Sequence, residues 1–192
     1  MAKKRKKKGW IGKFVILLFL IGIIASLSIL FRKEIVHTFR PFLEKLNLVE
    51  ERKEIVLYFS DRDGEYLVGE KRKIEKKGEM KEEAKEVVDE LIKGPKGKLI
   101  PTLPPRTKCL NFKLNEKGVA IVNFNRALSK DHPGGSSAEI LTAYSIVNSL
   151  TQNFPQIKQV QILIEGKPVE TIAGHLSLKQ PIAFNPKLIK RQ

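Results

Sequence analysis

The chain carries a single cysteine, Cys109, in 192 residues, so no internal disulfide can form and the fold must rest on its own core. Cys109 precedes an alternating apolar stretch and reads as a small buried hydrophobe; nothing in its neighbourhood marks a reactive thiol. The three histidines, His37, His132 and His175, stand too far apart for metal-ligand spacing. Acidic residues are absent from positions 1–31. Only one long apolar run occurs, which predicts a single-pass protein, and no internal repeat is visible. No cysteine stands near the end of that run, so a lipid-modified N-terminus has no attachment point.

That run is the most informative stretch present. Phe14 to Phe31 contains no ionisable side chain, and Lys3, Lys4, Arg5, Lys6, Lys7, Lys8 and Lys13 precede it. About 20 apolar residues in a helix cross the ~30 Å hydrocarbon core of a bilayer. The sequence therefore predicts a single transmembrane helix over residues 14–31. The basic flank, residues 1–13, is expected in the cytoplasm by the positive-inside bias, and the C-terminal region outside. A cleaved signal peptide is the competing reading, but Ser26-Leu27-Ser28 is a poor cleavage site and the apolar run continues past it. An uncleaved signal anchor fits better.

The formal net charge is +15, and removing the seven N-terminal charges leaves +8 over residues 32–192, mixed in sign. That balance describes a solvated surface. The lysine cluster is a topology and lipid-surface signal, and nucleic acid is not an expected partner.

Residues 32–53 form a juxtamembrane connector. Phe39, Phe42, Leu43, Leu46 and Val49 recur at helical spacing around Pro41, which suits either a short amphipathic helix or a semi-ordered linker. From Glu54 the pattern is α+β: a small mixed sheet with two packed helices. Strands are predicted at Glu54–Ser60, Tyr66–Val68, Arg72–Glu75, Lys108–Leu114, Val119–Phe124, Val160–Ile164 and near Val169–Ile172. Helices are predicted over Lys81–Lys93, stopped by Gly94-Pro95, and from Ser136 to about Asn153. Ser136 and Glu139 have the spacing of a capping box. Pro101, Pro104 and Pro105 make residues 96–107 a stiff loop, and the tail beyond Gly174 shows no period apart from a Leu176/Leu178 contact.

Eight motifs in order carry a resemblance. They are Leu57-Tyr58-Phe59, Leu67-Val68-x-Glu70, Leu91-x-x-Gly94-Pro95, Leu103-Pro104-Pro105-x-Thr107, Val119-x-x-Val122-Asn123-Phe124, Gly135-Ser136-x-x-Glu139, Ile146-Val147-Asn148-Ser149-Leu150-Thr151, and Val160 through Gly166. Together they resemble the sporulation and spore germination (GerMN) domain over residues 54 to about 180, with residues 181–192 as a tail. The resemblance implies a ring-building-motif-like module outside the cytoplasmic membrane, mainly of Gram-positive bacteria, acting in the envelope or in spore formation and germination. Members often carry a lipoprotein signal or two domain copies; this chain has one copy and an apolar anchor. The family supplies no agreed catalytic residues, so none is carried over.

The residues themselves offer little chemistry. Asp131, His132 and Ser136 are neighbours at a loop–helix junction, but local adjacency is not triad geometry, and a capping serine beside a surface histidine is expected. Asp61, Asp63 and Gly64 open like a calcium loop, yet the required twelfth position is Arg72, so a turn is expected. The Gly134-Gly135-Ser136 helix start could meet an anion through free amides, as many helix starts could. Tyr58, Phe59, Phe124 and Tyr144 fall in core patterns, not on a sugar platform. The expectation is a non-catalytic, membrane-anchored scaffold with no catalytic, cofactor or metal residues. Its partners are envelope or spore-assembly proteins, or itself, with the Pro-rich loop and the helix stripes as contact regions. The alternative is a peptidoglycan- or glycan-binding envelope module; an envelope hydrolase ranks third.

Overall fold

The computed structural model describes residues 14–16, 18–23, 26 and 51–190. The basic N-terminus, the remainder of the apolar run, the connector to residue 50 and residues 191–192 lie outside the described residues. Residues 14–16, 18–23 and 26 are helical with exposed side chains, including Phe14, Phe19 and Ile21. Among the described residues no helix is long and apolar enough to cross a membrane. The chain divides into two units, 1–50 and 51–192, and the second carries the fold described below.

Strands β1 (Arg52–Ser60) and β2 (Leu67–Glu75) pair antiparallel along their full length, Arg52 opposite Glu75 and Ser60 opposite Leu67. The two short strands expected at Tyr66–Val68 and Arg72–Glu75 are therefore one strand. Gly69 stays in the ladder opposite Tyr58, and its lack of a side chain suits the close approach there, where a Cβ would lie 3.0 Å from the Val56 Cγ1 across the hairpin.

Helix α1 (Met80–Ile92) buries Ala84, Val87, Val88 and Leu91 as its stripe predicts. Strands β3 (Cys109–Leu114) and β4 (Val119–Phe124) form an antiparallel hairpin, with a bulge between Cys109 and Asn111. Its turn needs Gly118, at φ 78°, where a Cβ would meet the Gln156 carbonyl at 2.8 Å.

After β4 the short α2 (Ala127–Lys130) and the long α3 (Ser136–Asn153) form the crossover that a parallel pairing requires. Strand β5 (Gln159–Ile164) then lies parallel to β4. Ala120, Val122, Phe124, Val160, Ile162 and Ile164 alternate into one core with Ile55, Leu57 and Phe59 from β1 and with α1 and α3.

The far edge of β5 is shared by two short strands, β6 (Lys167–Pro168) and β7 (Ile182–Ala183). The strand expected near Val169–Ile172 is absent, because Pro168 has no amide to continue the ladder. The chain turns off there and buries Ile172 and Leu178 in the main core. A 3-10 turn, Pro186–Leu188, follows, and Lys190 donates its amide to the Leu67 carbonyl.

Helix α3 is buried almost all round, which a single apolar stripe does not foretell. Its polar residues replace strand partners. Asn153 Oδ1 accepts from the Val56 amide at 2.9 Å while its Nδ2 donates to the Val56 carbonyl at 2.7 Å. Ser149 Oγ accepts from the Tyr58 amide at 3.0 Å. Asn148 makes the same two-way pairing with Asn185, at 3.0 and 2.9 Å. These side chains satisfy the edge of β1 and the returning tail, where bare backbone groups would otherwise be buried without partners. The odd-numbered residues of β1 face the main core. Tyr58 on its other face joins Leu67 and Leu141 in a second cluster beneath Leu188 and Ile189.

Candidate functional site

The Pro-rich loop and the start of α3 enclose an open groove of about 480 Å³, lined by Ile100, Pro101, Leu103, Pro104, Pro133 and Leu141 among others. Four prolines in that lining (Pro101, Pro104, Pro105 and Pro133) fix their own φ angles, so the wall is rigid before anything binds. Ile100, on the rim, is 46% exposed, and a two-way bridge between Ser60 and Ile100 ties this loop to β1 at 3.1 and 2.9 Å. Beside the groove lies a second hollow of about 570 Å³, with Arg106, Lys108 and Lys130 around Asp131.

Asp131, His132 and Thr142 beside the groove are engaged within the fold. The Arg106 guanidinium holds both oxygens of Asp131, at 2.9 and 2.7 Å. Thr142 Oγ1 donates to the Thr102 carbonyl at 2.6 Å, so it can only accept from His132 Nε2, 3.0 Å away. His132 Nδ1 accepts from the Gly134 amide at 3.0 Å. These two bonds assign the neutral tautomer with its proton on Nε2. Burial holds the His132 pKa below its ordinary value, because the imidazolium would be poorly solvated there. His132 therefore hydrogen-bonds neither Asp131 nor Ser136, and the three sequence neighbours are not assembled into a catalytic relay.

The expected capping box is not formed. The N-cap of α3 is Gly135, at φ 86° and ψ 143°, with no side-chain cap. Glu139 is fully buried and reaches the other way, accepting from the amides of Ile172 and His175 at 2.7 Å each. Burial alone would raise its pKa, but the amides of the 172–176 loop outweigh it and lower the value. Two otherwise unpaired loop amides gain a charged acceptor, a larger return than one exposed cap amide offers.

Asp61 forms the expected turn, with a difference. Its side chain is buried and accepts from the amides of Glu65 and Tyr66, while Lys190 Nζ lies 2.8 Å from Oδ2. The Lys190 ammonium and these amides hold its pKa at about 2. A carboxyl depressed in the fold contributes stability above its unfolded pKa and loses it as pH falls toward the folded value. Urea midpoints should therefore fall as pH drops from about 3.8 toward about 2, and Asp61→Asn, which can still accept from both amides, should flatten that fall. Equal slopes in the two proteins would refute this role. Among the described residues, no group of three or more acidic, histidine or cysteine side chains could hold a metal ion.

Cys109 is buried and unpaired, and burial raises its thiol pKa to about 11. Thiolate is the reactive form, so alkylation of the native protein at pH 8 should be at least about 100-fold slower than in denaturant. A native rate matching the unfolded one would show an exposed thiol.

The apolar stripes of α1 and α3 are spent on the core, so of the contact regions suggested by sequence only the Pro-rich loop remains open. The structure thus defines a small α+β domain built on an α1-β3-β4-α3-β5 core, with an N-terminal hairpin and a returning tail around α3. The chain belongs to the Germane family of sporulation and spore germination domains, whose model matches residues 56–170. Solved structures agree. The first GerMN domain of the sporulation protein GerM from Bacillus subtilis superposes with a TM-score of 0.56 at 22% identity, covering 70% of this chain and 98% of that one. The tandem GerMN domains of the same protein give 0.54 at 21%, over 70% of this chain and 46% of theirs. A protein described as a lipoprotein from Clostridium perfringens gives 0.51 at 27%, over 69% of this chain and 87% of that one. No curated protein sequence matches.

Proposed function

We propose that this GerM-like protein is a non-catalytic scaffold held at the outer face of the cytoplasmic membrane, where its domain engages protein partners in sporulation, germination or envelope assembly. The observation that carries the reading is how the loop–helix surface is built. Asp131, His132 and Glu139 are committed to internal partners, whereas the adjoining groove offers a rigid apolar wall without acid–base groups free to act. Placement by the apolar run 14–31 follows from its length and its basic flank. A membrane-proximal setting is also in keeping with the Clostridium perfringens relative described as a lipoprotein.

In-cell crosslinking of the full-length chain, followed by purification and mass spectrometry, tests this. Recovery of envelope or spore-assembly proteins, or a ladder of the protein itself, is the expected result. A clean monomer without protein partners would overturn the scaffold. Sedimentation with purified peptidoglycan would then decide for the glycan-binding alternative.

A further inference from the structure

The apolar groove and the basic hollow are one surface, because Pro105 and Asp131 line both. The two halves differ in chemistry. In the groove the buried hydroxyls have spent their protons: Ser60 Oγ donates to the Asp61 carbonyl, Thr102 Oγ1 to Ser145, and Thr142 Oγ1 to the Thr102 carbonyl. A sugar, which needs several hydrogen-bond partners, would lose water there and recover little, whereas an apolar side chain loses nothing. In the hollow, Arg106, Lys108 and Lys130 stand against the single carboxylate of Asp131. Lys108 and Lys130 are exposed and form no ion pair with a described residue, and the Arg106 side chain remains 77% exposed although it grips Asp131.

We infer that this composite surface, resting on the interaction-module reading above, binds an extended segment of a partner protein whose apolar residues fill the groove and whose adjoining residues are acidic. Charge complementarity selects the acidic end, and the prolines pre-order the apolar end, so little conformational freedom is lost on docking. Binding through the hollow should weaken with salt, since its cations face solvent.

The test places photoreactive benzoylphenylalanine at position 100 of the full-length chain in cells and sequences the crosslinked peptide by mass spectrometry. The expected adduct is a protein segment with apolar residues adjoining Asp or Glu. Lys108→Glu/Lys130→Glu should cut its yield at least tenfold at equal protein level and equal melting temperature. Lys108→Gln/Lys130→Gln covers the case in which charge reversal perturbs folding, and should reduce the yield in the same direction. A basic or neutral segment, a glycan adduct, or a yield insensitive to both variants would overturn the inference. No adduct at position 100 while crosslinking elsewhere still captures proteins would remove this surface and leave the scaffold standing. Failure of both experiments would remove both.

Discussion

Arg72→Ala is expected to be as damaging as truncation of a core phenylalanine, destabilising the domain by about 3–5 kcal/mol. The Arg72 side chain is 2% exposed and sits where β2 meets the end of α1. Its Nε and Nη2 donate to Glu70 Oε1 at 2.9 and 2.7 Å, and its Nη1 donates to the Glu90 carbonyl and carboxylate at 3.1 and 3.0 Å. Nη2 also donates to the Gly94 carbonyl, and the guanidinium lies 5.4 Å from the centre of the Phe59 ring. One planar cation therefore neutralises two partly buried carboxylates and closes the carbonyl end of a helix, where positive charge is favoured. Burial tends to raise the pKa of Glu70 and of Glu90; hydrogen bonds from Arg72 bring Glu70 below the usual value, and those from Lys93 and then Arg72 do the same for Glu90. Truncation leaves Glu70 without its cation and Glu90 with only the exposed Lys93. For a domain of this size the loss corresponds to a fall in melting temperature of roughly 10–20 °C. Arg72→Lys restores the charge but not the fork, and should recover less than half of the loss in urea unfolding. Full recovery by lysine would show that charge alone matters and that the geometry does not.

The second large effect falls on Glu139. Both of its oxygens accept from backbone amides, one from Ile172 and the other from His175. Glutamine must turn its NH₂ toward one of those N–H groups, so Glu139→Gln is expected to cost about 2–4 kcal/mol, given roughly 1.5–3 kcal/mol for each hydrogen bond to a charged acceptor. Ser136→Ala should cost less than about 0.5 kcal/mol, because no cap bond is formed there to be lost. A capping box would reverse that order, making the serine costly and the glutamine nearly neutral. Hydrogen exchange supplies an independent reading: the Ile172 and His175 amides should lose protection in Glu139→Gln, while those of α1 keep theirs. Because the folded pKa of Glu139 is lowered, its contribution is complete above the ordinary carboxylate range and fades as pH falls below it.

These two residues show where sequence reasoning reached and where it stopped. In the sequence Arg72 stands at the start of a predicted strand and spoils a calcium loop, without a sign that it is buried. Nothing in LVGEKRKIE distinguishes it from Lys71 or Lys73, yet the strand register points it inward and the other two out. For Glu139 the sequence points to the wrong partner. Spacing alone sees only the serine three residues before it, whereas the true acceptor contacts lie 33 and 36 residues downstream. The groove was half legible. Three prolines within residues 96–107 marked a stiff loop, but its neighbours on α3, and the basic hollow assembled from residues 105–108 and 125–131, depend on the crossover between β4 and β5.

The sequence by itself determined the α+β class, the two long helices, the β3–β4 hairpin and the family, because hydrophobic periodicity, Gly-Pro stops and ordered short motifs are local signals. It also set out the single apolar run with its basic flank. Only the tertiary structure decided that β2 is one strand, that α3 is surrounded on nearly every side, and that the segment after Pro168 turns back across the domain instead of extending the sheet. The reason is that these outcomes are fixed by hydrogen-bond partners far away in the chain. The amides of Asn148 and Asn153 stand in for strands, and Glu139 gathers a loop that no local pattern announces.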